Sequence, residues 1–381
     1  MLPQTKQAPL SLFFMLRVFA LVWLITKILC YKLWLADRDF PLVPVNNSLL
    51  GIPNYIHIFL FATMLTALAA LIVLPGKKWI IVVMITAQLC SCLLDQNRWQ
   101  PWEYQYLLMI LACAFFTDQK KTITAWQVIA IGLYFFSGLS KFNSGFNLKV
   151  WNELILHRWL GIVVHSEWIY RLGYLLPLIE MSAALALIFK KSRKFGVIII
   201  CGIHLFNLLL LGPLRLDLNT MVIWPWNIFM PFLLIQLFYK DFFEPLQLFQ
   251  KKGKFAIIVA CCWILPWLNL FGYWDDYLSF VLYSGKTQYL FICTADPVIK
   301  KKFHSYFERT KSSQSCDSSL SLYKWAMQEM NVTPNPELRV YREIARQWQK
   351  RYDTLATDKF LIWSPKFSKE KWIPLKLSPA Y

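Results

Sequence analysis

The stretch Ile123–Phe146, ITAWQVIAIGLYFFSGLSKFNSGF, ends an apolar run with Lys141 in a turn of small and polar residues. An apolar run of this kind can cross the hydrocarbon core of a bilayer, which needs about 20 mainly apolar residues. A lysine at the rim of such a span has two interpretations. It is either an anchor whose ammonium reaches the lipid headgroups, or a desolvated amine that acts as a base.

The composition of the chain is that of an integral membrane protein. Of its 381 residues, 57% are hydrophobic and only 16% are charged, whereas soluble globular domains carry roughly 25% charged residues. The sequence therefore predicts an all-α polytopic membrane protein with about nine transmembrane helices and a small α+β tail. The predicted spans are Ser11–Tyr31, Tyr55–Leu74, Trp79–Leu94, Tyr104–Thr117, Ile123–Leu139, Trp168–Phe189, Phe195–Leu211, Met221–Tyr239 and Phe255–Phe271.

The net charge of +18 is distributed by membrane side rather than in one patch, which argues against a nucleic-acid partner. The loops after the second, fourth, sixth and eighth spans hold twelve Lys and Arg residues, more than the alternating loops. Cytoplasmic loops carry the excess of basic residues. We therefore expect a cytoplasmic N-terminus, an extracytoplasmic tail, and Lys141 on the outer side of a cell (inner) membrane.

The chain divides near residue 282. Residues 1–282 form the predicted transmembrane domain, and residues 283–381 form a basic extracytoplasmic tail with 17 Lys and Arg against 9 Asp and Glu. Within the first domain, apolar and charged side chains alternate over residues 147–165 in a near-helical spacing. This pattern predicts an amphipathic segment in the membrane plane, which can roof a cavity.

The tail sequence predicts a strand pair hinged at Ser284 and Gly285, followed by a helix that begins with Asn335 as N-cap and Pro336 in its first turn. The predicted apolar face of that helix is Leu338, Tyr341, Ile344, Ala345 and Trp348. Its basic face is either solvated or held against anionic lipid or an acidic partner. Two tail cysteines, Cys293 and Cys316, either pair in an oxidising compartment or stay free.

Few ionisable residues fall inside the predicted spans, where such groups are costly and usually face a cavity or a partner. Glu180 either has a structural role, paired with Arg17 or with an amide of a neighbouring helix, or lines a path for protons or a quinone. His204 and Asn207 are three residues apart and so share a helix face. That histidine is either a hydrogen-bonded core residue or an acid or base.

The segment LLDQNRWQPWEYQY places Asp95, Trp99, Trp102 and Glu103 at the outer mouth between the third and fourth spans. Arg215 and Asp217 are further candidates at the outer rim. Tryptophan at this depth usually belongs to an aromatic belt, although an aromatic-lined mouth also suits a flat ring. The nine cysteines show no ligand spacing, and we predict no metal site.

Five stretches in this order resemble the vitamin K-dependent gamma-carboxylases and their bacterial relatives, the horizontally transferred transmembrane (HTTM) domain proteins. They are an arginine in the first span (Arg17), an aspartate-x-x-x-tryptophan turn (Asp95 and Trp99), the lysine stretch YFFSGLSKF, an acidic-x-Ser-Ala stretch EMSAA and the histidine-x-x-asparagine of HLFN. The resemblance covers approximately residues 10–240.

The resemblance implies an all-helical membrane domain in which Lys141 is the base that deprotonates reduced vitamin K or a similar quinone. Oxygen then turns the hydroquinone into a strong base that prepares a glutamate for carboxylation. Two departures separate this chain from the carboxylases. Trp102 stands where they have a histidine, and a large lumenal portion is missing. The resemblance therefore points to the broader HTTM-like group rather than to glutamate carboxylation itself.

Two hypotheses follow. The first is a membrane enzyme, carboxylase- or lyase-like or quinone-linked, that receives a quinone-like or other lipidic ring molecule from the outer leaflet. Its catalytic residues are Lys141, His204 and Glu180, and its substrate-binding residues are Asn207, Arg17, Asp95, Trp99 and Trp102. The second is a non-catalytic scaffold or assembly partner whose tail binds an extracytoplasmic protein or peptide. Membrane lipids are partners in both, and a transporter ranks last.

Overall fold

The computed structural model describes residues 11–163, 166–212, 218–238, 253–309, 316–353, 358–364 and 371–377. Predictions about Arg215, Asp217 and the loop lysines Lys240, Lys251 and Lys252 lie outside these residues.

The membrane part is a bundle of helices at the nine predicted positions. They are α1 (Leu12–Leu29), α2 (Asn54–Val73), α3 (Lys78–Leu94), α4 (Pro101–Phe115), α5 (Gln119–Ser140), α6 (Glu167–Leu172) with α7 (Leu175–Ala186), α8 (Arg193–Leu211), α9 (Trp224–Phe238) and α10 (Lys254–Val259), which continues through a π-helical turn into α11 (Leu265–Leu268). Within the described residues, seven helical segments are long and apolar enough to cross a membrane. A multi-pass helical membrane fold fits this architecture.

Two of the nine predicted spans, α3 and α4, are not among these seven segments. Helix α3 has 17 residues and α4 has 15, and an α-helix rises only about 1.5 Å per residue. Helix α4 is nevertheless buried along almost its whole length, from Pro101 to Cys113. Because neighbouring helices cover α4, its length does not have to match the thickness of the bilayer. The count of nine stays a prediction.

Consecutive helices pack as neighbours, and α1 contacts α9, which closes the bundle into a ring. Helix α5 is the most enclosed of the long helices, since 78% of the residues in its most apolar stretch are buried. Its glycines allow this packing. A Cβ on Gly132 would lie 2.6 Å from the backbone oxygen of Cys262, and one on Gly138 would lie 2.7 Å from Cγ of Met181. Helix α5 therefore meets the last helix and α7 at backbone distance.

The tail is a small α+β unit, as its sequence predicts. Its antiparallel strands follow the order β2-β3-β1-β4-β5, with β1 at Tyr289–Cys293, β2 at Phe307–Arg309, β3 at Ser318–Ser321, β4 at Lys359–Ser364 and β5 at Lys371–Pro374. In the central pair, Phe291 lies opposite Leu361. The tail helices are α12 (Pro297–Lys302), α13 (Leu322–Met330) and α14 (Leu338–Tyr352). A disulfide joins Cys293 to Cys316.

Two predictions for the tail are wrong. The strand pair around Ser284 and Gly285 does not form, because Tyr277–Ser279 is a 3₁₀ turn and β1 pairs with β3 and β4 instead. Helix α14 begins at Leu338 after the cap residue Glu337. Asn335 does not cap it, since its amide donates to the backbone oxygen of Gln96 over 3.1 Å. In both places a long-range contact replaces the expected local one.

The tail is docked on one end of the bundle. Arg351 and Lys302 bind the carboxylate of Asp39 in the α1–α2 loop, at 2.8 and 3.3 Å. Arg339 donates to the Gln96 side chain in the α3–α4 turn over 2.8 Å and pairs with Asp275. The α1–α2 loop, the α3–α4 turn and the tail therefore share one end of the molecule.

Candidate functional site

Lys141 lies at the end of α5, with its ammonium inside the bundle. The Nζ atom donates to the Glu180 carboxylate at 2.6 Å and to the Ser137 hydroxyl at 2.9 Å. The side chains of Lys141 and Glu180 are 10% and 7% exposed. Glu180 belongs to α7, so the ion pair ties α5 to α7. The predicted pairing of Glu180 with Arg17 does not form, because Arg17 is exposed on α1.

The direction of Lys141 follows from helix geometry. Side chains on an α-helix point back toward its N-terminus, onto the residues three and four positions earlier. Lys141 follows the last residue of α5, and its chain reaches back over Ser137 rather than forward beyond the helix end. With its ammonium held between Ser137 and Glu180, Lys141 does not have the geometry of a headgroup anchor.

The residues that follow Lys141 close the end of α5 against the segment that leads to the tail. Asn143 donates to the backbone oxygens of Ser140 and Ser284 at 2.8 and 2.9 Å. Gly285 has a positive φ of 65°, and a Cβ there would lie 2.5 Å from the backbone carbon of Gly145. The asparagine and glycines after Lys141 thus serve a close contact between two backbones.

His204 forms a second buried group with two residues that the sequence did not single out. Its Nε2 lies 2.6 Å from the Tyr134 hydroxyl, and its Nδ1 lies 2.9 Å from Oδ1 of Asn227. The Asn227 amide also donates to the backbone oxygen of Ile223 at 2.9 Å. All three side chains are buried. The sequence contained a signal for Tyr134, which precedes Lys141 by seven residues, or two helical turns. It contained no signal for Asn227.

The two buried groups are neighbours along α5. Tyr134, Ser137 and Lys141 are spaced i, i+3 and i+7, which places them on one face of the helix. We call Tyr134, Ser137, Lys141, Glu180, His204 and Asn227 the polar network. Of the three predicted catalytic residues, Lys141 and Glu180 are therefore in direct contact, whereas His204 is linked to the same face of α5 through Tyr134.

A cavity of about 470 Å³ lies between the bundle, the amphipathic segment Phe146–Trp159 and the tail. The bundle supplies Trp102, Asn207, Leu210 and Ile223, and the tail side supplies Tyr277, Tyr283, Tyr289 and Tyr323. The segment forms a π-helix. It lines the cavity with Val150 and Leu154 and with three charged residues, Lys149, Glu153 and Arg158. Lys141, Glu180 and His204 are not among the lining residues.

Asn207 connects the cavity to the polar network through α8. It lines the cavity, while His204, one helical turn earlier, binds Tyr134 and Asn227. The two residues share a helix face as predicted, and they serve two different environments. The cavity has the volume of a small-molecule site, for which 300–1,000 Å³ is typical, and such sites combine apolar walls with a few polar groups.

The predicted binding residues at the outer mouth have other contacts. Asp95 is fully buried, pairs with Arg38, and accepts from the backbone amides of Val43 and Asn97. Both carboxylate oxygens of Asp95 therefore take part in contacts that hold the loops together. Trp99 is half-buried and packs edge-on against Tyr104. Of the five predicted binding residues, only Trp102 and Asn207 reach the cavity wall, while Arg17, Asp95 and Trp99 do not.

Sequence reasoning missed a further buried ion pair, Lys27–Glu103. Lys27 of α1 donates to Glu103 of α4 at 3.0 Å and to Gln88 of α3 at 2.7 Å, and both charged side chains are 0% exposed. Trp23 also donates to Glu103, and the Lys27 ammonium lies 3.5 Å from the centre of the Trp34 ring. The signal in the sequence was a lysine in the last turn of the first span. No described cavity reaches this pair, which fastens three helices together.

No group of three or more His, Cys, Asp and Glu side chains suited to a metal ion occurs among the residues that the structure describes. The chain has no significant match among family models, curated proteins or solved structures.

Proposed function

We propose that this is a multi-pass protein of the cell (inner) membrane that binds a quinone-like or other lipidic ring molecule in the cavity, with Lys141 as the base of a proton-transfer reaction. The observation that carries the proposal is the position of the Lys141 ammonium. It is turned into an apolar bundle and held by Glu180 and Ser137, next to a second polar group that adjoins the cavity wall at Asn207. Intramembrane ionisable residues usually have a function of this kind.

Each part of the chain has a distinct task in this proposal. The apolar wall of Trp102, Leu210 and Ile223 holds the ring, and Asn207 offers an amide to its polar substituent. A bound hydroquinone would supply an acidic hydroxyl and two electrons. Glu180 and Ser137 hold the Lys141 nitrogen in place inside the bundle.

We also propose that the chain belongs to the HTTM-like group and that its tail faces outward. It does not include glutamate carboxylation, since Trp102 takes the place of the family histidine. The alternative is a scaffold that acts through its basic tail on an extracytoplasmic protein or peptide. Against it, Arg339 and Arg351 of α14 are held in ion pairs with Asp275 and Asp39 of the same chain.

Replacement of Lys141 distinguishes the proposed enzyme from the scaffold. Lys141→Ala leaves Glu180 buried without its cation, which alone costs about 3–5 kcal/mol, so Lys141→Ala/Glu180→Gln is the variant to use. Lipids copurified with native and variant protein are extracted and identified by mass spectrometry. We expect a ring-bearing lipid with the native protein, and retained binding but no chemical conversion in the double variant. Native protein without any ring-bearing lipid contradicts the proposal.

A further inference from the structure

The charged residues of the cavity wall all belong to the amphipathic segment. Among the described residues that line the cavity, the charged ones are Lys149, Glu153 and Arg158. The bundle wall is mainly apolar, and the wall on the tail side carries four tyrosines. The cavity therefore has one charged side, while its other two sides suit an uncharged ring.

The π-helical form of the segment brings these three charges into line. Lys149 and Arg158 are nine residues apart, which in an α-helix of about 3.6 residues per turn would place them on opposite faces. A π-helix joins residues five apart and has about 4.4 residues per turn, so nine residues complete about two turns. The Leu160 amide shows this pattern, since it donates to the backbone oxygen of Ile155 over 3.0 Å. Lys149, Glu153 and Arg158 therefore share one face, which we call the charged stripe.

Lys149 is held in position on the charged stripe by two neighbours. Its Nζ atom lies 3.2 and 3.3 Å from the two carboxylate oxygens of Glu153. The same atom lies 4.8 Å from the centre of the Trp363 ring, on strand β4 of the tail. Two cations and one carboxylate give the stripe a formal net charge of +1. An anionic group that reaches the stripe would neutralise it.

We propose that the molecule in this cavity is an amphiphile with an acidic group, a carboxylate or a phosphate, that binds the charged stripe while its ring lies against the bundle. This inference rests on the proposed function and names the chemical class of its ligand. Carboxylates and phosphates accept strong, charge-assisted hydrogen bonds from guanidinium and ammonium groups. Arg158 can bind such a group through two parallel N–H donors, and Lys149 adds a compact positive charge.

The position of the charged stripe also suits an amphiphile. Lys149 contacts the tail through Trp363, and the tail is docked on one end of the bundle. The acidic group would therefore lie at that end, as a headgroup does in a bilayer, while the apolar wall around Leu210 and Ile223 receives the ring.

Two flat probes that differ in charge test the acidic group. At neutral pH 2-naphthoic acid carries a carboxylate, whereas 2-naphthamide has nearly the same shape and no charge. Their dissociation constants for the full-length protein are measured by equilibrium dialysis in an uncharged detergent at low salt, with protein-free micelles in parallel. We expect the native protein to bind naphthoate about tenfold more tightly than the amide, the contribution of a charge-assisted hydrogen bond.

Substitutions on the charged stripe give the matched comparison. Lys149→Met and Arg158→Met should each weaken the binding of naphthoate roughly tenfold and leave the binding of the amide unchanged. Lys324→Met is the control, because Lys324 forms a partly exposed ion pair with Glu308 at 2.7 Å and does not line the cavity. It should bind both probes as the native protein does. A loss in only one of the two stripe variants overturns a site shared by Lys149 and Arg158.

Failure of this inference and failure of the proposed function give different results. Equal binding of both probes to the native protein overturns the acidic group and leaves the ring site intact. Displacement of naphthoate by an equal concentration of inorganic phosphate overturns the amphiphile and assigns the charged stripe to a free anion. Native protein that binds neither probe contradicts the proposed ring-binding function as well.

Discussion

Single residues in this bundle owe their roles to the direction of their side chains. Lys141 is a base candidate because its chain runs back along α5 to Ser137 and Glu180. From the sequence alone, the anchor and base interpretations were equally open, because both require a lysine at the end of a span. The choice between them depends on the position of Glu180, 39 residues further along the chain.

The buried ion pair between Lys27 and Glu103 gives a prediction at the residue scale. Lys27→Met leaves the Glu103 carboxylate buried without its cation, and breaking such a pair costs about 3–5 kcal/mol. We expect a clear drop in the thermal unfolding temperature in detergent. Lys27→Met/Glu103→Gln removes both charges and should recover part of the loss.

The partly exposed pair Lys149–Glu153 provides the matched control. Its side chains are 31% and 35% exposed, and exposed pairs contribute only about 0–1 kcal/mol. Lys149→Met should therefore change the unfolding temperature little. Equal losses in Lys27→Met and Lys149→Met would show that burial does not set the strength of the Lys27 pair.

At the scale of elements, the close approach of α5 to its neighbours depends on glycine. In Gly132→Ala the new Cβ meets the backbone oxygen of Cys262 at 2.6 Å, so α5 and the last helix must separate. We expect a loss of stability of about 1–3 kcal/mol, as in other overpacked cores, measured by thermal unfolding.

Gly202→Ala on α8 is the control for this substitution, because nothing lies within 4 Å of its new Cβ. Alanine is favoured over glycine inside a helix by roughly 1 kcal/mol, so Gly202→Ala should be neutral or stabilising. If both variants lost stability equally, close packing at Gly132 would not be the cause.

The first turn of α14 gives a prediction about pH. Glu337 accepts from the backbone amide of Asp276 at 2.9 Å. Burial, together with Asp275 and Asp276, raises the pKa of Glu337 to about 7, although Arg339 and that hydrogen bond oppose the shift. The stability that this group contributes is present below its ordinary pKa of 4.5 and is lost as the pH rises through about 7.

We therefore expect the tail to unfold at a lower temperature as the pH rises across this window. Glu337→Gln stays neutral and can still accept from Asp276, so its unfolding temperature should fall less over the same range. Hydrogen exchange of residues 275–285 provides a local measurement. Native and variant proteins with parallel pH profiles would rule out Glu337 as the titrating group.

At the scale of the whole molecule, the tail and the loops poorer in basic residues occupy one end of the bundle. The proposed orientation puts that end outside the cell. Val298 on the tail is 74% exposed, so Val298→Cys should react with a membrane-impermeant maleimide on intact cells. Lys78→Cys, at the exposed first residue of α3 on the opposite end, should react only after lysis. The reverse pattern would place Lys141 and the cavity on the cytoplasmic side.

The sequence by itself determined what local composition controls: the apolar helices, the amphipathic segment, the α+β tail, and the spacing that puts His204 and Asn207 on one face. Only the tertiary structure decided which polar groups meet. Glu180 pairs with Lys141 rather than Arg17, and His204 binds Tyr134 and Asn227. The physical reason is that apolar periodicity fixes which face of a helix is buried, whereas the partner of a buried polar group depends on how helices distant in sequence pack.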